Sequence, residues 1–382
     1  LLLNNPDLKK TSYVDLRSII NIDSKKLQTE LKIEKGELDV MFGGIVCKGF
    51  SLAGDRSPND ERNYFYHKQL DLVECFKPKI SVIENVKAFS NGQVLSSDTP
   101  CEIKDAIDEI WLKLAQFKGQ KAEYRKKGLL TKEFENYGNE VKKEKDLILR
   151  EIEEKNYLIS VLDDLYRIYD SIGYNVQHKI LNSAWYGAAT KRERIIIVAT
   201  RKDLPNNFKY PIPKYYSEEI MTKCDFFDLK KTELKKAKTL RDVFSLINYT
   251  DKEDLDNKPM NHKPKTIERF KYIPPGCNVT EVMDQLPNEL KISSFYSRGN
   301  TMRLHLDQIA PTLVPGHSNF PIHPIEHRSI TVREAAVITG FPLTYKFIGN
   351  HSKRCEHVGN AVPPPLAEAI AKSCREYLDE IK

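Results

Sequence analysis

Four groups in this chain have the types and spacing to do chemistry: one cysteine, one glutamate, a pair of arginines and a glycine-asparagine segment near the end. Cys47 lies in Gly43-Gly44-Ile45-Val46-Cys47-Lys48-Gly49-Phe50-Ser51, directly after the apolar run Leu38–Phe42, which reads as a short buried strand. Paired glycines let the backbone turn sharply and bring a ligand close to the main chain. A loop at a strand end presents its side chains to a cleft, and Lys48 would favour the nucleophilic thiolate. Taken alone, an isolated cysteine reads more simply as a small buried apolar residue. Glu84 sits near the carboxyl end of a second strand pattern, Pro78–Val86. Two neighbouring strands would deliver Cys47 and Glu84 to one sheet edge, where open α/β sheets place their sites. By itself Glu84 is as readily a solvated carboxylate. Arg192 and Arg194 alternate in Thr190–Arg194, so in extended chain both face one way. Val358-Gly359-Asn360-Ala361-Val362-Pro363-Pro364 reads as a glycine-asparagine turn entering the last helix.

The elements that must position these groups follow from periodicity. Residues 13–92 alternate strand and helix patterns, with a helix predicted over Asn63–Phe76. The stretch of about 103–172 changes character, rich in Lys and Glu with apolar residues at helical spacing. Ile103, Ile107, Ile110 and Leu114 mark one helix. Ile148, Ile152, Ile159, Leu162, Leu165, Ile168 and Ile172 mark a longer one that Gly173 caps. Gly128 and Gly138 break the stretch between them. A helical hairpin is the simplest reading and a partner-binding coiled coil the alternative. Strands return at Asn175–Asn182 and Arg194–Thr200. From Lys202 to Asn300 regularity fades, with paired lysines (Lys230-Lys231, Lys235-Lys236) among aromatic residues.

Together, and in this order, the motifs resemble the DNA (cytosine-5)-methyltransferase family. The cysteine loop is similar to the family's Pro-Cys motif, Glu84-Asn85-Val86 to its Glu-Asn-Val motif, and Thr190–Arg194 to Gln-x-Arg-x-Arg. Gly359–Pro364 resembles the closing Gly-Asn-Ala-Val-Pro motif. Arg303-Leu304 through Ala310-Pro311-Thr312, and Thr331-Val332-Arg333-Glu334-Ala335-Ala336 through Gly340-Phe341-Pro342, fit two further family segments. Six motifs in order are far more specific than any one of them. Ile45-Val46 replaces the usual Pro-Pro, Lys48 a Gln, and Thr190 the Gln of the arginine motif, where a supporting hydrogen bond is at stake.

The resemblance implies a mechanism. The family adds a thiolate to cytosine C6, which activates C5, so Cys47 would be the nucleophile. Glu84 would bond or protonate N3, and Arg194 with Arg192 would hold the O2 side. The methyl donor is S-adenosylmethionine, β-elimination releases the cysteine, and the target base must leave its duplex. Asp15, Leu16, Gly44, Phe65, Asn360, Ala361 and Val362 match cofactor-pocket positions. The implied fold is α/β, a Rossmann-like S-adenosylmethionine-dependent methyltransferase sheet with a helical insertion and a smaller target-recognition domain. The catalytic domain would occupy residues 1–200 and 303–382, with target recognition at 201–302. The family's Phe-x-Gly-x-Gly loop and ribose-binding acid have no match before Gly43, where Gly36 is the sole glycine. The N-terminal strands are thus expected to be missing through a truncated reading frame, or supplied by a second chain. The chain alone is expected to bind S-adenosylmethionine weakly or not at all.

Composition narrows the class further. At 382 residues two domains are expected. A formal charge of +6 suits double-stranded DNA without demonstrating it. Seven cysteines contain no C-x-x-C pair, so no zinc ribbon or disulfide framework is indicated. His317, His323 and His327 fall within a segment like the family's, and no metal is expected. No apolar run reaches membrane-spanning length and no signal peptide is visible, so no membrane partner and a cytoplasmic setting are expected. The alternatives are a truncated or partner-dependent inactive DNA-binding relative and, less favoured because this recognition region is long, a tRNA cytosine-5 methyltransferase.

Overall fold

The computed structural model describes every residue except 1, 12, 45–56, 222–232, 294–298 and 317–318. Cys47 with the rest of its loop, and His317, lie outside the described residues. The chain forms two compact units, one of Asp15–Ile180 with Ile195–Asn206, the other of Leu1–Val14, Leu181–Arg194 and Asn207–Lys382.

Helices α1 (Leu8–Thr11, in the second unit) and α2 (Ser24–Leu31) precede the first strand. The first unit is organised on a four-stranded sheet in the order β1 (Val40–Gly44), β2 (Ile80–Val86), β6 (Glu193–Arg201) and β5 (Tyr174–Asn182). β6 lies between two strands and is buried from Arg194 to Thr200, which explains its unbroken apolar run Ile195–Ala199. Helix α3 (Phe65–Phe76) packs Tyr66, Leu70 and Val73 against Ile83, Ile195 and Ile197. Its expected first turn from Asn63 is a 3-10 turn, Glu61–Tyr64.

β1 departs from the buried strand expected of it. It ends the sheet order, and Phe42 is 56% exposed, because a strand with a neighbour on one side is only partly covered. The paired glycines are not a turn but the last residues of this strand. Gly43 is required by a close approach: a Cβ there would come 1.7 Å from Oε1 of the buried Gln69.

The insertion is a helical hairpin of α4 (Cys101–Lys127) and α5 (Lys132–Glu154). α4 stops at Gly128, at φ +68, and α5 starts from Thr131, whose hydroxyl accepts from the Phe134 amide. Leu95, Ile107, Ile148 and Ile152 form the core at its base. Gly138, expected to break the stretch, instead lies buried inside α5, where a Cβ would sit 2.0 Å from Cζ of Phe117. Phe117 in turn stacks on Phe134, with centroids 4.9 Å apart. Gly138→Val should therefore destabilise the hairpin by about 1–3 kcal/mol through overpacking, read as faster amide exchange in α4 and α5; unchanged exchange would disprove it.

The single long helix expected from Ile148 to Ile172 is two helices. After α5, Asn156 takes φ +55 and the chain extends as β4 (Leu158–Ser160), antiparallel to β3 (Gln93–Leu95). Ser160 then caps α6 (Val161–Ser171), its hydroxyl accepting from the Asp163 amide. Gly173 follows α6 at φ +84, in keeping with its expected role.

The second unit holds the short pair β7 (Tyr215–Tyr216) and β8 (Lys235–Lys236), and helices α7 (Glu218–Met221), α8 (Leu240–Phe244), α9 (Pro264–Lys271), α10 (Val332–Thr339), α11 (His351–Asn360) and α12 (Pro364–Glu380). Among its described residues, one apolar cluster lies around Leu304, Phe320 and α10 and another around Phe270, Val279 and Ile322. Arg303 is buried, and all five of its N–H donors are used. Nε donates to Ile273 O (2.6 Å), Nη1 to the carbonyls of His323 (2.7 Å) and Glu326 (2.8 Å), and Nη2 to Phe270 O (2.6 Å) and His327 Nδ1 (3.1 Å). Within Thr331–Ala336, Thr331 and Glu334 form a capping box and Glu334 also receives both terminal nitrogens of Arg328, each at 2.8 Å.

Candidate active site

In the first unit the parallel register of β1 and β2 sets Gly44 opposite Glu84. A Cβ at Gly44 would lie 3.7 Å from Glu84 Oε2, an ordinary contact. Glu84 is half-buried at the carboxyl end of β2, while the next residue, Asn85, turns inward, and its Oδ1 accepts from the Val86 amide at 2.8 Å. The strand pleat thus sends the two polar residues to opposite faces. Phe65 opens α3 and is half-buried. Asp15 is bonded to Arg17, whose Nη2 lies 2.6 Å away and whose hydrogen bonds hold the carboxyl below its usual range; Leu16 is 93% exposed.

In the second unit Thr190, Lys191 and Arg192 lie alongside the segment Ala310-Pro311-Thr312. Thr190 bridges Ala310 in parallel, the Lys191 amide donates to Ala310 O at 2.8 Å, and Thr312 Oγ1 donates to Lys191 O at 3.2 Å. Thr190, standing where the resemblance implies Gln, donates its hydroxyl to Pro311 O at 2.8 Å. The buried Arg192 donates from Nη1 to Leu313 O at 3.1 Å, and Arg194 from Nη1 to the Glu193 carbonyl at 2.8 Å.

The closing segment also belongs to the second unit, and it corrects one expectation. Gly359 and Asn360 are the last residues of α11, not a turn. Glycine is needed at 359 because a Cβ there would lie 2.4 Å from Cα of Pro315. Asn360 is exposed, and Ala361 and Val362 are half-buried. Ala361 lines a cavity of about 310 Å³ with Phe341, Tyr345, Phe347 and His357. His323 and His327 are both hydrogen-bonded through Nδ1. Two backbone amides, of Ile325 and Glu326, donate to His323 Nδ1 at 3.2 and 3.0 Å, and burial depresses this imidazole's pKa. His327 Nδ1 serves Arg303.

Two supporting groups escaped the sequence reading. Gln69 crosses Gly43, and its amide donates to Val82 O at 3.4 Å, tying α3 to the strand that carries Glu84. Asp164, buried on α6, accepts from Tyr66 Oη (2.6 Å) and Arg167 Nη2 (2.6 Å) and meets His67 Nε2 (2.9 Å). Burial opposes its ionisation, but the bonds from His67, Tyr66 and Arg167 outweigh it and hold the carboxyl well below the usual range. A polar residue within each helix's apolar face was the available signal.

A family model, C-5 cytosine-specific DNA methylase, matches residues 4–97 and 123–376. The chain belongs to this family. Among C-5 cytosine-specific DNA methylases it is 26% identical to Type II methyltransferase M.DdeI of Desulfomicrobium norvegicum, over 99% of this chain and 80% of that protein. It is 26% identical to Type II methyltransferase M.Sau96I of Staphylococcus aureus, over 90% of this chain and 62% of that protein. A solved structure described as a candidate prophage-encoded DNA modification methyltransferase from E. coli shares the fold, with a TM-score of 0.51 at 18% identity, covering 96% of this chain and 87% of that one.

Proposed function

We propose that this C-5 cytosine methylase transfers a methyl group from S-adenosylmethionine to C5 of a flipped-out cytosine in a specific duplex sequence, as the modification enzyme of a restriction-modification system. One observation carries the reading: the β1–β2 register that sets Gly44 beside Glu84. Cys47 follows Gly44 by three residues, and three residues of chain span at most about 11 Å. That register supports a reading in which nucleophile and acid would act from the same end of β1 and β2.

The roles follow from chemistry. The Cys47 thiolate adds to C6 while Glu84, hydrogen-bonded at N3, offsets the charge that develops on the ring. By the resemblance, Arg194 would hold the O2 side as a cation, and Arg192 is itself held by the Leu313 carbonyl. When bound, S-adenosylmethionine supplies the methyl group for C5. Loss of the C5 proton then expels Cys47 and restores the ring. Within the first unit the donor set suits part of that cofactor: Asp15 offers an acceptor for the adenine amine once Arg17 yields it, and Phe65 an aromatic face. Leu16, Gly44, Asn360, Ala361 and Val362 are assigned to the cofactor by the resemblance of their motifs. Residues 201–302 would read the target, with lysines such as Lys235 and Lys236 on phosphates. A DNA substrate implies a cytoplasmic setting.

DNA in which 5-fluorocytosine replaces cytosine tests this reading. With S-adenosylmethionine present, addition and methyl transfer proceed but fluorine cannot leave as a cation, so a covalent complex through Cys47 should accumulate. Peptide mapping of the adduct to another cysteine, or no adduct while unsubstituted DNA is methylated, would overturn the assignment.

A further inference from the structure

We propose that the α4–α5 hairpin is a duplex-DNA arm, its tip gripping the phosphate backbone outside the recognised sequence. The inference rests on the DNA-methylating reading above and extends it to a surface which that chemistry does not use. Charge is the first observation. Residues 118–132 hold Lys118, Lys121, Arg125, Lys126, Lys127 and Lys132 against one acid, Glu123, so this short tip carries +5 of the chain's formal +6. Lys121 pairs with Glu135 and Lys127 with Glu123. Arg125, Lys126 and Lys132 are exposed and have no acidic partner among the described residues. Glu133 and Glu135 lie in the first turn of α5, where the helix N-terminus favours acids; Arg125 and Lys126 stand across the turn in the last turn of α4, and Lys132 opens α5 beside the acids.

Placement is the second observation. From Val86 at the end of β2 the chain passes through the 3-10 turn Lys87–Asn91 into β3 and then α4, and α5 returns to β4 beside β3. Both arms therefore root on the ribbon that follows the strand edge bearing Glu84. The base is fixed by its apolar cluster and the distal half by the Phe117–Phe134 stack. The 27 residues of α4 make an arm about 40 Å long, a little over one turn of B-form duplex. Residues 98–122, most of α4, fall outside the family match, whereas the end of α4 and all of α5 fall within it. A sequence-independent grip is what an exposed lysine-arginine tip supplies.

The test compares wild type with R125E/K126E/K132E, and with the milder R125Q/K126Q/K132Q, in the full chain. Binding to a random-sequence duplex is followed by fluorescence anisotropy across a salt series. The glutamate variant should bind about tenfold more weakly near physiological salt, and the slope of log affinity against log salt should fall by about 2.7 in the glutamine variant, one 0.9 increment per lost phosphate contact. The spectrum of methylated sites should not change. Unchanged affinity and slope in both variants, with wild type binding duplex, would overturn the arm while leaving the proposed function standing. If wild type binds no duplex, the proposed function fails and the arm with it. Equal DNA binding combined with loss of binding to mixed phosphatidylcholine–phosphatidylserine vesicles would overturn the DNA assignment in favour of a membrane surface.

Discussion

Cys47→Ser should lower methyl transfer at least about 10³-fold, to the detection limit of a tritium-transfer assay, while duplex binding stays within a factor of a few of wild type. Serine keeps the shape of the side chain but not its acidity: a thiol ionises near pH 8.5, whereas a hydroxyl remains protonated and adds poorly to an aromatic ring. A loss of that size corresponds to about 4 kcal/mol of transition-state stabilisation, more than any supporting contact in the site would forfeit. The split between the two readouts is what identifies the role. A cysteine that merely packed in its loop would, when replaced, weaken binding and stability along with turnover. Activity within tenfold of wild type would remove Cys47 from the mechanism.

Arg303→Ala should be the most damaging change away from the reacting groups. Its guanidinium is buried, and each of its five donors has an acceptor: four backbone carbonyls and one imidazole. Those carbonyls belong to Phe270, Ile273, His323 and Glu326, so one side chain ties α9 and the loop after it to the segment 323–327. Truncation leaves acceptors buried without donors, and each such orphan costs about 1–3 kcal/mol unless water reaches it. A total of about 3–5 kcal/mol is expected in urea unfolding, a large part of ordinary domain stability. Arg303→Lys should recover little, since one ammonium with three donors cannot reach five acceptors arrayed around a plane. A loss below about 1 kcal/mol for Arg303→Ala would show that the carbonyls find water or other donors.

The sheet could be read because burial on both faces writes an apolar run into the chain. Ile195–Ala199 carries that signature, Ile80–Ile83 does so apart from Ser81, and Glu84 stands out as the charge at the end of the second. The hairpin arms could be read for the same reason, in a longer period. The break between α5 and α6 was hidden because Ile152, Ile159 and Leu162 keep near-helical spacing through Leu158–Ser160; only Asn156, at φ +55, and the cap Ser160 mark the stop. Glycines misled where their reason is a distant neighbour. Gly43 yields to Gln69, Gly138 to Phe117 and Gly359 to Pro315, and no local pattern announces a side chain or backbone arriving from elsewhere. Arg192 and Arg194 could be picked out as a pair, but the carbonyl that holds Arg192 could not. It belongs to Leu313, 121 residues further along.

That separation has a consequence in time. Thr190 and Arg192 are anchored by Pro311 and Leu313, each 121 residues downstream. At a synthesis rate of 5–20 residues per second, a growing chain spends on the order of ten seconds with its arginine strand made and its anchor not yet made. During that interval the stretch leading to Leu313, including 201–302, is still being added. Arg192 therefore gains its final footing only after the intervening segment exists, and a prematurely ended chain carries the cysteine and the glutamate without the anchored Arg192.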